Sequence, residues 1–146
     1  MGRLRVIAKN NLIAIVIHIG ICLFSFLFFI TASIAFFMFL PIVLPIFALL
    51  VFYLYFRAGK RLLSNTNNAL MNVFSVMALS IILMATIATP EGIWIIANYP
   101  FAALGAMFGD AIPVAILISL LPSLAMWIGT AKQMNDVSFD DDELSY

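Results

Sequence analysis

Residues 10–56 run for 47 positions without an Asp, Glu, Lys or Arg. At about 20 apolar residues per crossing of a ~30 Å hydrocarbon layer, that block is long enough for two helical spans and too long for one. The whole chain agrees with this reading. Of its 146 residues 65% are hydrophobic and 10% charged, against roughly 45–50% and ~25% in a soluble domain. The expected class is an all-α integral membrane protein.

Two crossings within one block require a turn, and the polar cluster nearest its middle is Thr31-Ala32-Ser33. Short hydroxyl side chains satisfy backbone groups freed by a tight helical hairpin. The pattern therefore predicts span 1 over residues 11–31 and span 2 over 34–56. Tyr53 and Tyr55, just before Arg57, read as interfacial anchors. Pro41 and Pro45 fall inside span 2, where each removes a helix hydrogen bond and predicts a kink. The apolar run ahead of Ser33-Ile34-Ala35 exceeds the roughly 7–15 residues of a signal peptide, so span 1 is expected to be retained.

A basic, amide-rich connection, RAGKRLLSNTNN at 57–68, leads into span 3 over 69–89. Span 4 covers 111–131, its far end marked by Trp127 and Lys132. Between them, residues 90–110 contain Asn98-Tyr99-Pro100, then Gly105 and Gly109 at a Gly-x-x-x-Gly spacing, then Asp110. This stretch reads as an outer interfacial or re-entrant segment with Trp94 and Tyr99 at headgroup level. Gly105 and Gly109 are expected to pack closely over the outer face of the bundle. The alternative, a fifth span, puts polar and helix-breaking residues at mid-bilayer and must turn within Gly109-Asp110.

With four spans, all seven Lys and Arg residues share one side with both ends of the chain, and the positive-inside rule makes that side cytoplasmic. Residues 1–134 then form a single bundle. The tail from 135 to 146 is acidic and expected to be disordered, with Asp140, Asp141, Asp142 and Glu143 as a docking handle for a basic partner.

Polar residues recur at helical spacing. His18, Cys22 and Ser25 share a face of span 1, and Ser119 and Ser123 share one of span 4. On span 3, Asn68, Asn72, Ser75, Leu79, Ile82, Thr86 and Thr89 keep a 4-then-3 step. Lipid gives no reason to keep amides, so these stripes are expected to face inward and bond across helices. Counting ~1.5 Å per residue from the span ends puts His18, Asn72, Ser75 and Ser123 at one depth. They are the candidate intramembrane cluster, with His18 as a neutral interhelical tie or, alternatively, a proton-linked group.

Catalytic chemistry finds little to build on. Cys22 and His18 are each alone in their type, which removes internal disulfides and the usual zinc or haem ligand sets. No phosphate-binding glycine loop or nucleophile elbow is present. No catalytic residue, metal or cofactor is expected. The expected partners are the lipid bilayer and either another membrane protein or further copies of the chain, with no nucleic acid. Arg57, Lys60 and Arg61 are expected to touch anionic lipid. The function expected is that of a small accessory, assembly or immunity-type factor. A homo-oligomeric channel or transporter lined by the polar stripes is the alternative. A bacterial plasma membrane is the expected setting.

Overall fold

The computed structural model describes residues 2–35, 37–64, 68–108 and 111–143, and these are helical with no strand among them. Helix α1 spans Gly2–Ala35 and, after a 3₁₀ turn at Phe37–Phe39, α2 spans Leu40–Leu62. Helices α3, Ala69–Phe74, and α4, Met77–Ala85, are two halves of one apolar rod that closes in a 3₁₀ turn at Thr86–Ala88. Two short helices follow, α5 at Glu91–Ala97 and α6 at Tyr99–Phe108. Last comes α7 at Ile112–Glu143. Four stretches, Gly2–Ile34, Pro41–Leu62, Ala69–Ala88 and Ile112–Met134, are long and apolar enough to cross a membrane.

The α1–α2 turn comes after Ala35, later than the hydroxyl cluster suggests. Thr31 donates to Leu27 O at 2.9 Å within its own helix. A hydroxyl that bonds back four residues needs no turn to satisfy it. Pro41 consequently lies in the first turn of α2, where its missing N–H costs nothing, and only Pro45 lies inside that helix. Pro122 stands in the interior of α7, fully buried beside Ser123.

The span 3 stripe holds as far as Leu79, with Asn72, Ser75 and Leu79 buried. Beyond Leu79 it slips: Leu83 is 2% exposed and Ile82 48%. A 4-then-3 step averages about 3.5 residues per turn, and a straight helix of about 3.6 drifts off it. Between the two halves, Ser75 and Val76 donate to Asn72 O and Val73 O, three residues back rather than four.

Helices α2 and α7 share the most extensive interface, and they cross in backbone contact. A Cβ built on Gly59 would lie 2.7 Å from Met126 Cα, and one on Gly129 would lie 2.8 Å from Lys60 N as well as against Phe56 O. The Thr130 hydroxyl spans the crossing, 3.3 Å from Gly59 O and 3.0 Å from Met126 O. Gly105 is a looser case, its open face toward the Ile118 side chain and the Trp94 ring. Gly109 lies outside the described residues.

Helix α6 packs against α1, α2 and α7. Phe101 is buried and stacks on Tyr55, and Tyr99 meets Phe26 and Phe29 edge-on. Trp94 turns inward and donates to Ser119 Oγ at 3.4 Å. The backbone of α7 stays helical to Glu143, so as far as that residue the acidic tail is a helical extension. The side chains of Asp140, Asp141, Asp142 and Glu143 lie outside the described residues, as does Asp110.

Candidate functional site: two polar nodes inside the bundle

The candidate cluster resolves into two nodes. His18 bonds at one, while Ser75 and Ser123 bond at the other. Asn10, on the same helix as His18, reaches Ser75 at 3.2 Å, and eight residues of α-helix separate the two by about 12 Å.

The first node is centred on His18, which is buried. Nδ1 lies 2.8 Å from the Tyr55 hydroxyl and Nε2 lies 2.8 Å from Ala97 O. A backbone carbonyl only accepts, so Nε2 carries the proton and Nδ1 accepts from Tyr55. Cys22 Sγ sits 3.3 Å from Nε2 and 3.8 Å from Ala97 O. Tyr55 is fully buried, not interfacial, and its ring stacks between His18 and Phe101. Tyr53 is exposed and accepts from Arg57 at 3.2 Å. One imidazole therefore ties three pieces of chain: α1, α2 and the C-terminal end of α5.

That end is held a second time by Asn98. Its Nδ2 donates to Trp94 O at 3.1 Å and to Thr86 Oγ1 at 3.3 Å, where the hydroxyl is free to accept because it donates to Leu83 O. Asn98 Oδ1, buried, has no partner among the described residues.

The second node lies at the break between α3 and α4, and two adjacent amides of α1 build it. Asn10 donates to Ser64 O at 2.8 Å and accepts from Ser64 N at 3.0 Å, pinning the chain just past α2. Asn11 donates to Phe74 O at 2.8 Å and accepts from Ala78 N at 3.0 Å. In an unbroken helix Ala78 N would donate to Phe74 O. The Asn11 carboxamide is spliced into that one missing bond, satisfying both orphaned groups. Ser123 donates to Val76 O at 3.1 Å from α7. Asn72 is buried on the same face of α3.

Sequence reasoning missed Asn10, Asn11 and Tyr55. The signal available was an Asn-Asn pair opening a 47-residue uncharged block, and a phenol on the face of α2 that meets α1.

Both nodes act as ties. Their donors and acceptors face each other, and among the described residues no three His, Cys, Asp or Glu side chains gather to hold a metal ion. A recess of about 20 Å³, lined by Ser25, Phe29, Phe47, Tyr99 and Leu104 among others, has room for one water.

Removing single ties should read out as stability. Tyr55→Phe keeps the stacked ring but leaves Nδ1 unpaired, an expected loss of about 1 kcal/mol. His18→Ala also releases Ala97 O and opens a cavity, an expected loss of about 3 kcal/mol. Reversible unfolding in mixed micelles measures both, and equal losses for the two variants would remove the Ala97 bond from the account. Compared with protein-family models, curated proteins and solved structures, the chain matches none.

Proposed function

We propose that the chain is a small, non-catalytic multi-pass membrane protein that acts through contacts with another membrane protein, in the manner of an accessory subunit, assembly factor or protective factor. Closure of the polar stripes carries this reading. A conducting path needs polar groups facing a wet lumen. Here His18, Asn10, Asn11, Ser119, Ser123 and Thr130 all take partners within the chain.

Four crossings with a re-entrant α5–α6 hairpin fit the way the helix ends gather. Asn10 near the start of the first apolar stretch, Ser64 past the second, Ala69 at the start of the third and Trp127 toward the end of the fourth lie at one end, joined by Asn10–Ser64, Trp127–Ala69 and Thr130–Gly59 contacts. An odd number of crossings would carry the end of α7 to the opposite face. That shared end holds all the Lys and Arg residues, which makes it cytoplasmic by the positive-inside rule and favours a plasma membrane. The break at Asn98 inside the hairpin is then irregular backbone buried in protein, a circumstance in which lipid depth tolerates it.

Native mass measurement after mild-detergent extraction tests the function. The expected result is one stoichiometric foreign partner, and no ion flux from the purified chain in liposomes. A homogeneous homo-oligomer that passes ions would overturn the proposal in favour of a channel.

A further inference from the structure

Helix α1 is the least enclosed of the four long apolar helices, and its outward face has a regular pattern. Leu12, Val16, Ile19, Leu23, Phe26 and Ile30 are each exposed by 43 to 64%. Their steps of 4, 3, 4, 3 and 4 residues make an unbroken heptad seam, the spacing by which one helix packs along another. Toward the N-terminus the same steps reach Lys9 and Arg5, both exposed.

Gly20 borders the middle of this seam with nothing within 4 Å of where its Cβ would be, whereas Gly59, Gly105 and Gly129 each face a close neighbour. Glycine is the weakest ordinary helix former after proline, so a glycine in open space at mid-span is unexplained by packing within the chain. In lipid, small residues mark where a second helix backbone comes near.

We propose that the α1 seam docks a single transmembrane helix of a different membrane protein, one bearing acidic residues at its cytoplasmic end. This rests on the accessory reading and names the surface and the chemistry of its partner. Charge selects against a symmetric pair of α1 helices. Copies in one membrane share orientation, so a symmetric α1–α1 pair would place Arg5 and Lys9 against themselves, like charges at seam positions. An acidic juxtamembrane turn pairs with the same two cations and continues the apolar contact past Gly20.

Energy transfer in phosphatidylcholine vesicles tests it. The full-length chain carries a donor label, and the probe is a synthetic leucine–alanine helix of about 20 residues ending in two glutamates. A matched probe ending in two lysines is the control. Transfer to the glutamate probe is expected, about tenfold weaker for the lysine probe and for an Arg5→Glu/Lys9→Glu variant. Gly20→Leu, whose new side chain enters open space, should also abolish it without lowering the unfolding midpoint. Equal transfer to both probes, or stronger transfer between two copies of the chain than to the glutamate probe, would overturn the proposal. Co-purification of a partner that survives Gly20→Leu would reject the seam and leave the accessory reading standing; absence of any partner for the parent chain rejects the reading itself.

Discussion

Gly129→Ala should destabilise the protein by about 2 kcal/mol, and Gly129→Leu should leave no folded monomer in mild detergent. The sign is the informative part. In an open helix, replacing glycine with alanine gains about 0.5–1 kcal/mol from propensity and lost unfolded-state entropy, and Gly20→Ala, in open space, should show that gain. At Gly129 the added methyl meets Phe56 O and Lys60 N. Those are backbone atoms, which cannot rotate aside as a flexible side chain would. Overpacking of this kind typically costs about 1–3 kcal/mol, enough to outweigh the propensity gain. Gly59→Ala meets Met126 C and Cα across the same crossing and should cost a similar amount. The double substitution should cost less than the two losses added together, because one outward shift of α7 relieves both clashes. Stabilisation by either alanine would mean that α2 and α7 do not touch there.

The two glycines also mark where legibility stops. Four apolar helices, the interruption at Asn98-Tyr99-Pro100 and the inward turn of Asn72, Ser75 and Ser123 could all be read from the run of residues, because lipid punishes exposed polarity so consistently. The Gly59–Gly129 crossing could not. The contact joins positions 70 apart; Ala125 stands four residues before Gly129, but Gly59 has no small neighbour four residues away on its own helix, so nothing in the sequence pairs the two. Gly105 and Gly109 do show the spacing, yet Gly105 faces only the side chains of Ile118 and Trp94.

The depth of His18 fails for a different reason. Counting ~1.5 Å per residue from span ends assumes straight, parallel helices that start at a common plane. The break at Ser75–Val76 defeats that assumption. The hairpin turn was misplaced because a hydroxyl inside a helix and a hydroxyl at a turn look the same in sequence until Thr31 is seen bonding to Leu27 O.

Asn10→Ala should cost about 3 kcal/mol, as much as His18→Ala. Asn10 is fully buried and loses two bonds to the Ser64 backbone and one to Ser75 Oγ. Hydrogen bonds between membrane helices average only about 0.6 kcal/mol by double-mutant cycle, because the unfolded helix finds other partners in the bilayer. The Ser75 bond should therefore appear as a coupling of about that size in an Asn10→Ala/Ser75→Ala cycle. The larger share belongs to Ser64, whose N–H and C=O stand past the end of α2 with no helical partner of their own. Left unpaired, those groups cost about 1–3 kcal/mol each. Ser64→Ala is the discriminating control: the bonds are made by its backbone, so this variant should unfold within about 0.5 kcal/mol of the parent. Asn11→Ala should fall between the two, at about 2 kcal/mol. It frees Phe74 O and Ala78 N, but those two groups can partly recover by closing the helix bond that Asn11 interrupts. A rise in helix continuity across Ser75–Val76 in that variant, seen as slower amide exchange at Ala78, is the expected accompaniment. If Ser64→Ala instead matched Asn10→Ala, the staple would be a side-chain contact, and the amide pair that opens the uncharged block would lose its role as the tie between α2 and the broken helix.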